Sequence, residues 1–123
     1  MTAYELGQCG EELALAHLNQ LGMQILEQRW KDHAYEIDIV AFDPVSNELV
    51  IVEVKTRASG IWGRPEDAVD MPKIRRMVKA ADYYARSRNI DYPIRFDVFA
   101  IIVPKSGKPK IDYYKDAFYA PLE

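Results

Sequence analysis

The pattern of apolar and polar residues along the chain predicts two amphipathic helices. Thr2 followed three residues later by Glu5 fits a capping box, so a first helix is expected from about Ala3 to about Leu21, with Gly22 as its C-cap. At an advance of about 100° per residue, small and apolar residues fall on one face: Leu6, Gly10, Leu13, Ala14, Leu18 and Leu21. Such a face is typical of a helix that packs on a sheet.

Five further segments have the composition of strands, because they are rich in branched and aromatic residues and are bounded by turn residues. In chain order they are Met23–Trp30, Tyr35–Phe42, Leu49–Thr56, Arg95–Val103 and Lys110–Tyr114. A second long helix is expected over Pro72–Arg88, with Asp70 as its N-cap. The order α-β-β-β-α-β-β predicts an α/β fold with a mixed β-sheet flanked by helices.

Length and composition restrict the class of protein. The 123 residues fit a single domain over residues 1–123. The longest apolar run, Val98–Val103, is far shorter than the roughly 20 residues that cross a bilayer. Cys9 is the single cysteine, which excludes an internal disulfide and a multi-cysteine zinc site. Met1–Gly10 lacks the pattern of a secretory signal, so a cytoplasmic setting is expected.

The two halves of the chain differ in charge. Residues 1–54 contain ten acidic and two basic side chains, whereas residues 55–123 contain nine acidic and fourteen basic ones. This distribution permits an acidic pocket that holds a cation beside a basic surface that holds a polyanion. Mixing of both signs over the folded surface would explain the same counts without any site.

Carboxylates interrupt two strands that are otherwise apolar. Asp38 lies within the second strand, and Glu53 and Lys55 lie within the third. If the two strands form a hairpin with Phe42 opposite Leu49, Asp38 faces Glu53 and, in the same register, Glu36 faces Lys55. Directly opposed side chains share a face and stand about 5 Å apart at Cβ. Because side chains alternate along a strand, Lys55 shares the face of Glu53.

Two carboxylates this close repel each other unless a positive charge lies between them. Mg²⁺ or Mn²⁺ would meet this need, since hard divalent cations prefer oxygen ligands. Glu11, at the border of the apolar face of the first helix, is a further acid that could lean toward the sheet. The alternative is a ladder of ion pairs in which Lys55 and an arginine neutralise Asp38 and Glu53.

Basic residues concentrate in the second helix and in the loop before it. Between residues 71 and 90 one acid, Asp82, accompanies six basic residues: Lys73, Arg75, Arg76, Lys79, Arg86 and Arg88. The apolar stripe of this helix is expected at Ile74, Val78, Ala81 and Ala85. Arg57 and Arg64 bracket a loop that contains Trp62. Side chains of this kind contact phosphates, and we select Arg57, Arg64, Lys73 and Arg76 as nucleic-acid contacts. The alternative is a solvated helix face.

The ordered motifs resemble a known group of nucleases. They are Gly10-Glu11-x-x-Ala14, Glu36-Ile37-Asp38-Ile39-Val40, Val52-Glu53-Val54-Lys55-Thr56-Arg57, Lys73 in the second helix, and Arg95-Phe96-Asp97-Val98. Together they resemble the PD-(D/E)XK nuclease superfamily and, within it, the YraN-like family of small bacterial proteins related to archaeal-type Holliday junction resolvases. Tyr35 stands where that superfamily usually has glycine, so the entrance to the site is expected to be narrower.

The resemblance implies a restriction-endonuclease-like core and a set of roles. Asp38 and Glu53 would be catalytic metal ligands, Glu11 a further acid at the metal, Lys55 the catalytic lysine, and Glu36 a supporting acid. The implied activity is Mg²⁺- or Mn²⁺-dependent hydrolysis of DNA phosphodiester bonds, with branched or repair-associated DNA as substrate. The alternatives are a nucleic-acid-binding module that does not cut and a structural or partner-binding domain. Whether the protein forms a homodimer is left open, and no membrane partner is expected.

Overall fold

The described residues form two helices and five strands in the predicted order. The structure, a computed structural model, describes residues 1–59 and 68–120. The elements are α1 (Ala3–Gln20), β1 (Gln24–Asp32), β2 (Tyr35–Asp43), β3 (Glu48–Arg57), α2 (Met71–Ser87), β4 (Ile94–Ile102) and β5 (Lys110–Phe118). The predicted fold class and element order are therefore confirmed. Trp62 and Arg64 lie outside the described residues.

One mixed sheet organises the fold, with the strand order β1-β2-β3-β4-β5. Neighbouring strands are antiparallel except β3 and β4, which are parallel, and the chain between those two contains α2. Helix α1 covers one face of the sheet. There Ala14 and Leu18 of the helix pack with Ile39, Val50, Val52 and Phe99 of the strands. Helix α2 covers the other face. There Met77 and Tyr84 of the helix pack with Trp30, Val40, Ile51 and Phe96 of the strands. The sheet is thus buried on both sides.

Both helices begin where the capping residues predict. The Thr2 hydroxyl accepts a hydrogen bond from the Glu5 backbone at 3.1 Å, and Glu5 accepts one from the Thr2 backbone at 2.9 Å. Asp70 accepts from the Lys73 backbone at 3.0 Å. The first helix ends with Leu21 as C-cap, so Gly22 follows the cap rather than forming it. Its φ of +83° explains why glycine occupies this turn.

Gly10 sets how closely α1 approaches the sheet. A Cβ atom at this position would lie 2.0 Å from the Thr56 hydroxyl oxygen and 2.9 Å from its methyl carbon. The absence of a side chain therefore lets the helix backbone rest directly on β3, since protein interiors leave no space for such an overlap. The next residue, Glu11, is consequently held beside the middle of the sheet.

Two predicted details are corrected by the structure. The buried stripe of α2 includes Met77, Ala80 and Tyr84, whereas Val78 is only half-buried. The helix is rotated because the large Tyr84 side chain packs edge-on against Trp30 of β1 at 5.2 Å between ring centroids. Strand β5 runs to Phe118 instead of ending at Tyr114, because an irregular register with Asp116 at a φ of +54° interrupts the side-chain alternation without ending the pairing.

Candidate metal and nucleic-acid site

The hairpin of β2 and β3 brings the two predicted carboxylates together. Phe42 lies opposite Leu49 as predicted, and the regular ladder continues to Ile39 opposite Val52. Beyond that pair, the Asp38 carboxylate accepts a hydrogen bond from the Val54 backbone N–H at 2.8 Å. A side chain thus bonds to the β3 backbone where the regular ladder between the two strands stops.

An irregularity in β2 places Asp38 at this position. Ile37 and Val40 both belong to the core beneath α2, whereas Ile39 belongs to the core beneath α1. Regular alternation would put Ile37 and Ile39 on the same face. The alternation therefore slips by one residue next to Asp38. A disturbed strand beside a polar side chain is a common way to direct that side chain toward a site.

Two lysines from different elements reach Glu53. The side chain of Glu53 is buried, and its Oε2 lies 3.2 Å from Lys55 Nζ and 3.5 Å from Lys73 Nζ. Lys55 comes from the same strand, as predicted from the alternation. Lys73 comes from the first turn of α2, so it is part of the carboxylate cluster as well as of the basic helix.

The charge balance of the cluster is incomplete at Asp38. Burial, followed by the charge of Glu53, raises the pKa of Asp38 to about 7, and the hydrogen bond from Val54 opposes this only in part. The charge of Glu11 raises it further. In the part of the chain that the structure describes, no basic side chain forms an ion pair with Asp38, whereas Glu53 has two lysines. The pair offers oxygen donors in a location that favours added positive charge.

Glu11 lies next to this cluster but is paired elsewhere. Its carboxylate accepts a hydrogen bond from Arg29 Nε at 2.5 Å. Arg29 has a φ of +50° and lies in β1 between Gln28, which pairs with Ile39, and Trp30, which pairs with Ile37. Over residues 1–59 and 68–120, no group of three or more His, Cys, Asp or Glu side chains is arranged to hold a metal ion.

Glu36 does not take the predicted position opposite Lys55. Its partner across β1 is Lys31, whose Nζ lies 3.4 Å from Glu36 Oε1, and the Glu36 side chain is exposed. The regular β2–β3 ladder ends at Ile39, so the register that predicted a contact with Lys55 does not extend to Glu36. Glu36 instead borders two surface cavities.

The four predicted nucleic-acid contacts have different surroundings. Lys73 contacts Glu53, and the exposed Arg76 lines a cavity with Lys73. Arg57 is exposed at the end of β3. Arg64 lies outside the described residues. The same cavity is lined by Lys79, a further basic residue of α2.

Sequence reasoning missed Arg29 as a partner of Glu11 and the contact of Lys73 with Glu53. A usable signal existed for Arg29, because residues 1–54 contain only two basic side chains among ten acidic ones. Each of these two bases, Arg29 and Lys31, forms an ion pair with an acid of that half. The Lys73 contact depends on how α2 is placed against β3, which local sequence does not specify.

A second charged cluster lies on the same sheet, around the buried side chains of Arg95 and Asp97. Asp97 is completely buried and accepts two hydrogen bonds from Arg95, at 3.0 and 3.1 Å. The Tyr113 hydroxyl and the Asp116 backbone also donate to Asp97. These four hydrogen bonds give Asp97 a structural role within the sheet.

The fold and the site define a small α/β protein with an asymmetric carboxylate pair in the sheet, next to a basic helix. Neither helix of the described residues is long and apolar enough to cross a membrane. Residues 10–101 match the uncharacterised protein family UPF0102, and the chain belongs to this family.

Similar proteins carry the same family name. A UPF0102 protein of Bacteroides thetaiotaomicron is 48% identical over 118 residues, which cover 96% of this chain and 95% of the relative. One from Parabacteroides distasonis is 48% identical over 117 residues, covering 95% and 94%. One from Flavobacterium psychrophilum is 44% identical over 115 residues, covering 94% of each chain.

Proposed function

We propose that this protein is a metal-dependent nuclease that hydrolyses phosphodiester bonds of DNA, with branched or repair-associated DNA as its substrate. The observation that carries the proposal is the arrangement at Asp38 and Glu53. Two carboxylates from neighbouring strands adjoin each other, one has a pKa raised to about 7, and the Lys55 ammonium group lies 3.2 Å from the other. The resemblance of the ordered motifs to the PD-(D/E)XK superfamily supports the same assignment.

The donor atoms fit Mg²⁺ or Mn²⁺. Asp38 and Glu53 would hold the ion, because both offer carboxylate oxygens and their mutual repulsion favours a cation between them. Glu11 would take part only if its ion pair with Arg29 opens. When bound, such an ion acidifies a water molecule and offsets negative charge on a phosphoryl group.

The protein's own basic groups would act on the charge that develops during hydrolysis. A water oxygen forms a bond to phosphorus while the bond from phosphorus to the leaving ester oxygen breaks; the proton lost by the water passes to the solvent, and the leaving oxygen takes up a proton from the solvent. Negative charge grows on the phosphoryl oxygens, and the Lys55 ammonium group is placed to hold that charge or to orient the water. Arg57 and Arg76 would bind neighbouring phosphates without reading the base sequence.

A second candidate is a nucleic-acid-binding module that does not cut. The specific observation in its favour is that Lys55 and Lys73 both lie within 3.5 Å of Glu53 Oε2. In that case the ammonium groups only neutralise the buried carboxylates, and the basic surface of α2 binds the phosphate backbone.

A cleavage panel separates the two candidates. Labelled linear, flapped and four-way DNA is incubated with the protein in Mg²⁺, in Mn²⁺ or in EDTA. Under the nuclease proposal, cleavage requires the metal, is lost in Asp38→Ala, and persists in Asp91→Ala, a matched change at an exposed aspartate.

Salt-sensitive binding of the same DNA without cleavage would favour the second candidate. Cleavage that survives in Asp38→Ala would point to a contaminating nuclease and contradict the assigned site. If the protein neither binds nor cleaves any of these DNA molecules, both functions are rejected.

A further inference from the structure

Two tyrosines form a stacked pair beside the basic helix. The rings of Tyr35, at the start of β2, and Tyr83, on α2, are 4.7 Å apart between centroids and inclined by 20°. Both side chains are half-buried. The Tyr83 hydroxyl donates to Asp32 at 3.1 Å, which fixes the ring from one end. The two stacked rings are therefore held in place, and part of their surface is still accessible to solvent.

Two cavities adjoin this pair, and both are lined by Tyr35. One, of about 240 Å³, is lined by Tyr35, Glu36, Lys73, Arg76 and Lys79 among others. The second, of about 420 Å³, is lined by Tyr35, Lys79, Asp82, Tyr83, Arg86 and Ser87. Tyr35 and Lys79 belong to both, so they lie at the boundary between the two. Lys73, in the first cavity, also contacts Glu53, so this surface continues to the carboxylate pair.

The surface has an excess of positive charge. Four basic side chains line the two cavities: Lys73, Arg76, Lys79 and Arg86. Two acids line them as well, and each has a basic partner at the surface. Glu36 pairs with Lys31 at 3.4 Å, and Asp82 pairs with Arg86 at 2.9 Å. These pairs are largely exposed, so a stronger anion can displace them at little cost.

We infer that the tyrosine pair and these four basic side chains bind an unpaired strand of nucleic acid that leads to the carboxylate pair. Bases of a single strand stack on aromatic side chains while its phosphates follow basic residues. A duplex buries the faces of its bases, so it could use only the basic residues. The inference rests on the proposed function in one respect, that the strand ends at the reacting centre.

Paired substitutions at the tyrosines separate stacking from charge. Binding of a labelled twelve-nucleotide oligothymidine and of a hairpin duplex is measured in EDTA, so that no cleavage interferes. We expect Tyr35→Leu and Tyr83→Leu each to weaken binding of the single strand by about 5- to 150-fold. Tyr35→Phe and Tyr83→Phe should bind it within about twofold of wild type, because the ring is kept. Duplex affinity should change little in all four variants.

The salt dependence of binding tests the basic part of the surface. The logarithm of the affinity for a single strand falls with the logarithm of the salt concentration by about 0.7 per phosphate contact. Lys79→Ala and Arg86→Ala should each reduce this slope by about one contact. Lys108→Ala removes the same charge from the exposed turn between β4 and β5 and should leave the slope unchanged.

Each result bears on the inference. Equal losses of single-strand and duplex binding, equal losses in the leucine and phenylalanine variants, or unchanged single-strand binding in the leucine variants would overturn it. Thermal melts identify a leucine variant that loses binding because it unfolds. At that position the test is the phenylalanine variant, which should keep the wild-type preference for the single strand over the duplex. The nuclease proposal fails independently, if wild type binds the oligonucleotide but no DNA is cut in Mg²⁺.

Discussion

One hairpin carries two cross-strand pairs of carboxylates with opposite characters. Asp43 and Glu48 face each other at the turn of the β2–β3 hairpin, and both contact Arg95 Nη1, at 2.9 and 3.0 Å. Asp38 and Glu53 are brought together five residues further along each strand. The first pair shares the guanidinium group of Arg95, whereas no basic side chain within residues 1–59 and 68–120 forms an ion pair with Asp38.

The pKa values of the two aspartates, Asp43 and Asp38, shift in opposite directions. Burial alone would raise the pKa of Asp43, but hydrogen bonds from Arg95 and from the backbone of Val45 and Ser46 outweigh it and lower the pKa. Burial raises the pKa of Asp38, and the neighbouring carboxylate of Glu53 raises it further. A buried acid that is paired with a cation therefore has a structural role. A buried acid without such a partner is a candidate for binding a cation.

The largest expected effect comes from removing the cation of the complete cluster. Arg95→Met leaves Asp97 and Asp43 buried without their partner, so the free energy of unfolding should fall by about 3–5 kcal/mol. Asp38→Asn removes a carboxyl group that resists ionisation, so stability should be unchanged or higher. Urea unfolding at pH 7 measures both. If Asp38→Asn were the more destabilising change, the contrast between the clusters would be wrong.

The corresponding change in the incomplete cluster should affect turnover instead of folding. Lys55→Ala is expected to lower DNA cleavage by about 10²-fold, the scale of a lost preorganised donor, with metal and DNA binding nearly intact. Single-turnover rates at saturating protein measure this, and Lys108→Ala is the charge-matched control. Cleavage at the wild-type rate would show that Lys55 is not catalytic. Lower stability that metal partly restores, without any cleavage to lose, would favour the binding module.

Divalent metal should stabilise the folded protein through Asp38 and Glu53 and not through the cluster around Arg95. A cation that binds only the folded protein adds about 1.4 kcal/mol when its free concentration is ten times its Kd. Thermal melts in millimolar Mg²⁺ or Mn²⁺ should show this increase in wild type and lose it in Asp38→Asn. The same increase in both proteins would place the metal elsewhere, and no change in either would favour neutralisation by the lysines.

The smallest effect is a difference in pH dependence. The pKa of Asp38 is raised in the folded state, so its contribution to stability is complete below the unfolded pKa of about 3.9 and is lost as pH rises through about 7. The pKa of Asp43 is lowered, so its contribution is present above the unfolded value and is lost in acid.

Urea unfolding between pH 4 and 8 checks the sign for Asp38. Wild type should lose stability relative to Asp38→Asn as pH rises, by less than about 1.4 kcal/mol per pH unit, the limit for one proton. Asp43→Asn should alter the pH dependence only below about pH 4, so its curve should run parallel to that of wild type between pH 5 and 8. A wild-type curve parallel to that of Asp38→Asn over the whole range would contradict the raised pKa.

Local sequence predicted the elements well because their causes are local. The capping residues Thr2 and Asp70 fixed both helix starts, and the turn between β2 and β3 fixed the register that opposes Phe42 and Leu49. The adjacency of Asp38 and Glu53 followed from that register.

The remainder of the site depends on contacts between distant parts of the chain. The slip next to Asp38 is not visible in a sequence that alternates regularly, and the register arithmetic therefore misplaced Glu36. The position of Lys73 depends on the rotation of α2, which Tyr84 and Trp30 determine by packing. Such contacts arise only when the sheet and helices assemble.

The parallel pairing of β3 with β4 has a consequence for the order of folding. Strands β1, β2 and β3 are joined by short turns, so their contacts form between residues close in sequence. Pairing β4 with β3 requires the chain from residue 58 to residue 93 to close a loop first. Because closure entropy precedes any gain from non-local contacts, that step is expected to limit the rate of folding. The three-stranded meander, which contains Asp38 and Glu53, would then form before Lys73 arrives on α2.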